Sequence, residues 1–147
     1  MQPHPNKFYI VKCSPASRGG VCIPKRQLGE EYGLGIDIQG IAAFQKPTAS
    51  FLKRVFSPDE IEYCVQKSEP AQHFAARFAA KEAIRKSFLL FGKNIPFSEI
   101  GLVLRDKKVH VELPVSLKNQ YAIKLSLSHS GDYAVACALI IDYENRK

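Results

Sequence analysis

The chain has 147 residues, 46% of them hydrophobic and 24% charged, enough for one domain with an ordinary core and no disulfide staples. No apolar run approaches the roughly 18 to 20 residues of a spanning helix, and no charged-then-apolar secretory leader opens the chain, so the expected location is the cytoplasm, with no membrane contact. Lys and Arg exceed Asp and Glu by 21 to 14, and the resulting +7 suits an anionic partner: nucleic acid, a phosphorylated small molecule or an acidic protein.

Residues 1–32 are rich in Pro, Gly and charge and read as an N-terminal extension, flexible or loosely attached, with "FYIV" (Phe8 to Val11) as one short strand. Cys13 and Cys22 lie there, and a reducing compartment argues against their pairing. No CxxC pair or zinc spacing occurs, and Cys64 and Cys137 read as small core residues. "YGLGIDI" (Tyr32 to Ile38) predicts a strand, and residues 48–56 a short helix. "SPDE" from Ser57 predicts the next helix start, with Ser as N-cap, Pro in the first position and Glu three residues after the cap. Pro70 opens a long helix to about Phe91, stopped by Gly92.

The period then changes to two. Residues 100–113 predict a hairpin turning at "DKK", 114–120 a helical turn or two, and 121–130 and 132–141 a second hairpin joined at Gly131-Asp132. The last strand is apolar almost throughout and is expected to be buried on both faces. Strand, helices, then strands is the order of an α+β fold.

The long helix carries the chemistry. Its small-residue side holds Ala76, Ala79, Ala80 and Ala83, while Arg77, Lys81, Glu82, Arg85 and Lys86 sit among phenylalanines on the other half. Glu82 and Lys86 have the spacing and order of a simple helix-surface ion pair. The competing reading joins Glu82 to Asp37, an acid between isoleucines on the first strand. Mg²⁺ takes one or two protein carboxylates and completes its shell with water and phosphate oxygens, for which Arg77, Lys81 and Lys86 supply cations. In "SLSHS", Leu125, Leu127 and His129 alternate with the serines, and neither a GxSxG elbow nor a third triad member accompanies them. There is no P-loop or GxGxxG, "GLG" at Gly33 to Gly35 precedes a strand rather than a helix, and the strands lack the exposed aromatics among basic residues that RNA binding needs.

Taken in order, "GLGIDI", "FLKRVFSPDEIEYC", "HFAARFAAKEAIRKSF" and "LSLSHSGDYAVACALI" resemble the holo-acyl-carrier-protein synthases, small members of the 4′-phosphopantetheinyl transferase superfamily, over about residues 33 to 142. The resemblance implies a transferase domain at 33–147, with an antiparallel sheet packed on a long helix and a homotrimer with active sites between subunits. It implies Mg²⁺-dependent transfer of phosphopantetheine from coenzyme A to a serine of an acidic acyl carrier protein, Mn²⁺ being a possible substitute, with release of adenosine 3′,5′-bisphosphate. Asp37 and Glu82 would hold the metal, with Glu82 and Lys86 acting at the reacting centre. Arg77, Lys81, Lys86, Ser128 and His129 would line the coenzyme A site, and Arg54 would dock the carrier. Arg85 has no part in this assignment and is expected to face solvent. The sequence departs from the family pattern at Gly40 and Ala43, where Glu and Arg are usual, and at Lys107 and Val109, where a GxP turn is usual. Those departures keep open an alternative, a non-catalytic homologue that binds coenzyme A or a carrier without modifying it.

Overall fold

The computed structural model describes residues 32–144; the strand expected at 8–11, the extension and Cys13 and Cys22 lie outside the described residues. Strand β1 (Tyr32–Gly40) is followed by a 3-10 turn, helices α1 (Ala49–Val55), α2 (Pro58–Val65) and α3 (Pro70–Leu89), and the hairpin β2 (Gly101–Arg105) and β3 (Lys108–Glu112). A short helix, α4 (Val115–Lys118), leads to the hairpin β4 (Tyr121–Ser130) and β5 (Tyr133–Asp142). The main sheet is antiparallel in the order β1-β5-β4, with β2 and β3 forming a separate ribbon.

The local signals act as read. Thr48 caps α1 by accepting from the Phe51 amide. At α2 the Ser57 hydroxyl accepts from the Glu60 amide, and the Glu60 carboxylate accepts from the Ser57 amide at 2.8 Å, a complete capping box. Helix α3 ends in a Schellman motif: Lys93 N–H reaches back to the Phe88 carbonyl, Gly92 N–H to that of Leu89, and Gly92 takes φ +70°. The β2–β3 turn places Asp106 and Lys107 at φ +49° and +62°, the two left-handed residues of a type I′ turn.

The sheet packs on α3 through small residues. Gly33, Gly35 and Asp37 share the inner face of β1, beside Ala134, Ala136, Ala138 and Ile140 of β5. A Cβ at Gly35 would stand 1.9 Å from the Ala83 carbonyl oxygen, so strand and helix backbones touch there. Ser87 seals the contact, its hydroxyl donating to the carbonyls of Ala83 and Ala138. Phe88, Ile84, Ile100, Leu102 and Tyr121 complete this core. A second core, of Phe44, Val55, Phe56, Cys64 and Phe74, lies between α3 and the shorter helices. Helix α3 is therefore covered on both sides.

Expectation and structure differ at β5. Its inward residues are buried, but Val135, Cys137, Leu139 and Ile141 are only half-buried, because no layer of the described residues covers the outer face of the sheet. Cys137 thus stands on that outer face rather than in the core, whereas Cys64 is fully buried.

Candidate functional site

Three groups of charged side chains decorate α3, and the expected site residues divide among them. The first is enclosed. Lys81 is 1% exposed; its ammonium donates to Glu60 Oε2 at 2.8 Å and to the Val55 carbonyl at 2.7 Å. Glu60 uses its other oxygen to accept from Leu102 N–H. Burial lowers the Lys81 pKa, opposed by Glu60. Lys81, expected to line the coenzyme A site, here has its ammonium on Glu60 and the Val55 carbonyl, which ties α1, α2 and α3 together. Arg77 is also buried and donates to the Leu102 carbonyl at 3.0 Å, so Glu60 and Arg77 together satisfy both backbone groups of Leu102 on the open edge of β2. Arg77 still borders a cavity of about 380 Å³, alongside Ser57, Tyr63, Gly101 and Leu104.

The second group lies at the first turns of α3. The Arg77 guanidinium and the Lys67 ammonium each lie 4.3 Å from the Tyr63 ring centroid, and His73 meets the ring edge. Gln72 Nε2 is hydrogen-bonded to His129 Nε2 at 3.0 Å. Burial, then the charges of Lys67, Arg77 and His129, lower the His73 pKa, so four basic side chains act on one another here. Of the expected residues Arg77 and His129 belong to this group. Ser128 is exposed on the opposite face of β4 from His129. Nearby Cys64 is no nucleophile, since burial pushes its thiol up to about 11.

The third group joins β1 to the second half of α3. The Asp37 carboxylate, 2% exposed, accepts from the Lys86 ammonium at 2.7 Å through Oδ1 and from Gln39 Nε2 at 2.7 Å through Oδ2. Lys86 also donates to the Ile36 carbonyl. Glu82 is 12% exposed and accepts from Arg85 at 3.3 Å. Burial raises the Glu82 pKa, Arg85 opposes that, and the charge of Asp37 raises it further. The charge of Asp37 thus acts on Glu82, and Lys86 turns to Asp37 across the strand. Arg85, expected to face solvent, instead bonds Glu82, the Ile95 carbonyl and Asn94.

Two mutually repelling, largely buried carboxylates beside a lysine suit a hard dication with oxygen ligands. Among the described residues no group of three or more His, Cys, Asp or Glu could hold a metal, so such an ion would complete its shell with water and phosphate oxygens. The sequence reading missed Gln39, although strand alternation puts it on the same face as Asp37. It also missed the double role of Glu60, legible only as a cap.

The family model for the 4′-phosphopantetheinyl transferase superfamily matches residues 33–138. A holo-[acyl-carrier-protein] synthase of Geotalea daltonii is 40% identical over 124 residues, covering 74% of this chain and 97% of its own. One from Chlamydia trachomatis serovar D is 38% identical over 116 residues, covering 74% and 98%. Among solved structures, the Chronobacterium ammoniagenes ACPS–CoA complex superposes with a TM-score of 0.64 at 29% identity, covering 77% of this chain and 98% of that one. The Helicobacter pylori holo-[acyl-carrier-protein] synthase in complex with coenzyme A gives 0.63 at 30% identity, covering 73% and 98%. No helix among the described residues is long and apolar enough to cross a membrane. A matched profile over most of the chain, a shared fold and relatives aligned over nearly their full length lead to one conclusion: the chain belongs to the 4′-phosphopantetheinyl transferase superfamily, on its holo-[acyl-carrier-protein] synthase branch.

Proposed function

We propose that the chain transfers the 4′-phosphopantetheine group of coenzyme A to a serine hydroxyl of an apo acyl carrier protein in the cytoplasm. The observation that carries this reading is the Asp37–Glu82 carboxylate pair with Lys86 beside it, built where β1 touches α3. Asp37 and Glu82 would hold Mg²⁺ or Mn²⁺, and the bound ion would supply charge neutralisation for a pyrophosphate. The serine oxygen bonds to the β-phosphorus, the bond from that phosphorus to the bridging oxygen breaks, and adenosine 3′,5′-bisphosphate leaves with that oxygen. The serine proton needs an acceptor, which a water molecule at the site or the Glu82 carboxylate would supply. Lys86 would bind phosphate oxygens near the reacting centre, and Arg77, Ser128 and His129 the rest of coenzyme A. Positioning and charge neutralisation are the main requirements of such a transfer.

Two further features support the reading. Leu34, Ile36 and Ile38 are 61 to 62% exposed and Tyr133 58%, all on the sheet face that nothing among the described residues covers. An apolar face of this kind suits a homotrimer with sites between subunits. Arg54 and Lys53 are exposed in the last turn of α1 and offer positive charge to an acidic carrier. The family match begins at residue 33, consistent with a transferase domain at 33–147 preceded by an extension.

A second reading, binding without transfer, draws on Gly40 and Ala43. Intact-mass spectrometry with coenzyme A, Mg²⁺ and a panel of apo carriers separates the two. The transferase reading expects one carrier to gain the phosphopantetheine mass; coenzyme A binding with no mass gain on any carrier supports the other. A Cβ at Gly40 would meet nothing within 4 Å, so Gly40→Glu with Ala43→Arg tests whether those losses limit transfer.

A further inference from the structure

We infer that Arg85 is a positioning residue for Glu82, clamping that carboxylate toward the dication site from the segment after α3; the inference rests on the metal-site reading above. Arg85 lies three residues beyond Glu82, one turn along the helix, and a surface arginine there would make a loose pair worth little. Here the guanidinium is fixed on three other sides. Its Nε donates to the Ile95 carbonyl at 2.8 Å, its Nη2 donates to Asn94 Oδ1 at 3.2 Å, and its plane lies 4.4 Å from the Phe97 ring centroid. Two engaged donors and a ring against the guanidinium restrict its motion, so its surroundings set the direction of Nη1.

That third donor meets Glu82 Oε1 at 3.3 Å. Among the described residues no hydrogen bond reaches Glu82 Oε2. The clamp therefore engages one carboxylate oxygen and leaves the other without a protein donor among the described residues, available to a cation. Asp37 is held in a parallel way, by Lys86 on one oxygen and Gln39 on the other. Each acid of the pair thus has its own orienting partner. The Arg85 clamp also ties Glu82 to the aromatic contacts of Phe97 with Phe78, and of Phe78 with Phe44 and Phe51 beside α1. Lysine cannot replace this geometry, because a single ammonium lacks the fork that engages three acceptors from one plane.

The test is Mn²⁺ binding followed by electron paramagnetic resonance, alongside the Mg²⁺ and coenzyme A dependence of transfer, for wild type, Arg85→Lys, Arg85→Ala and Asn94→Ala. Loss of a supporting hydrogen bond to a metal ligand costs about 10- to 100-fold. Arg85→Lys and Arg85→Ala are expected to weaken Mn²⁺ binding, and to raise the Mg²⁺ needed for half-maximal transfer, by about that factor, with the KM for coenzyme A changed by less than about 2-fold. Asn94→Ala, which keeps the guanidinium but removes one anchor, is expected to shift both in the same direction by a smaller factor. Circular dichroism melts establish which variants fold, and Arg85→Lys and Asn94→Ala carry the test if Arg85→Ala does not. Unchanged or tighter Mn²⁺ binding in a folded Arg85→Lys variant overturns the inference while leaving the metal site standing. Wild-type protein that binds Mn²⁺ no better than Glu82→Gln overturns the metal-site reading, and this inference with it.

Discussion

Five residues apart on α3, Lys81 and Lys86 each meet a carboxylate, and the two pairs differ in almost every other respect. Lys81 and Glu60 are 1% and 3% exposed, and their polar atoms are fully engaged by the ends of α1 and α2 and by β2. Lys86 is 23% exposed and reaches a carboxylate that has a second acid, Glu82, as a neighbour. The first arrangement is closed and balanced. The second sets one buried acid beside another that is slightly open to solvent, with Lys86 partly exposed between protein and solvent. A charged residue on a central helix is thus a fastening or a site according to what its acid partner touches, and helix periodicity alone does not distinguish them.

The largest effect expected is on Glu82. Glu82→Gln should reduce transfer by more than the roughly 10- to 100-fold that follows loss of a supporting group, while the melting temperature without metal holds or rises. The sign follows from the raised pKa: the folded state favours the neutral carboxyl, so this group adds stability as pH falls through its folded value and opposes folding above it. A sharp fall in melting temperature would place Glu82 with the fastenings and dissolve the contrast. Lys81→Met should do the reverse. It leaves the Glu60 charge buried, at a cost of about 3 to 5 kcal/mol in denaturant unfolding, with transfer per folded molecule retained. A stable Lys81→Met protein with weakened coenzyme A binding would move Lys81 to the site.

Gly35→Ala tests what places the two acids side by side. Its Cβ would meet the Ala83 carbonyl at 1.9 Å and Ser87 Oγ at 2.6 Å, forcing β1 from α3. A loss of about 1 to 3 kcal/mol is expected, together with a higher Mg²⁺ requirement measured by titration of transfer. Stability loss with an unchanged Mg²⁺ requirement would separate packing from site geometry. The smallest effect concerns His73, whose pKa is lowered first by burial and then by Lys67, Arg77 and His129. Folding stability should be complete above the ordinary value of 6.5 and fall as pH drops from there through the folded pKa. His73→Phe should flatten that decline in urea melts at stepped pH, and an unaltered slope would remove His73 from the basic group.

Local chemistry carried most of the fold. The Ser57 cap, the Gly92 stop and the turn at Asp106 and Lys107 each act within a few residues, so each was readable. Lys81 was not, because projecting α3 shows which side chains share a side but not that α1 and α2 cover the side opposite the sheet. Gly33 and Gly35 were legible as the wrong context for a nucleotide loop, yet their reason is a helix backbone 48 or more residues downstream. The nearness of Asp37 and Glu82 has the same long-range origin. Composition and periodicity left it open, and only the ordered motifs implied it.

Glu60 gives the molecule a single mechanical junction. One carboxylate receives the Ser57 amide, the Lys81 ammonium and the Leu102 amide, and so spans the start of α2, the middle of α3 and the edge of β2. The Leu102 amide points away from its own ribbon partner and owes its protection to that side chain. Its hydrogen exchange should therefore follow the opening of the helical half rather than fraying of the β2–β3 ribbon, making one backbone proton a gauge of how cooperatively the two halves come apart.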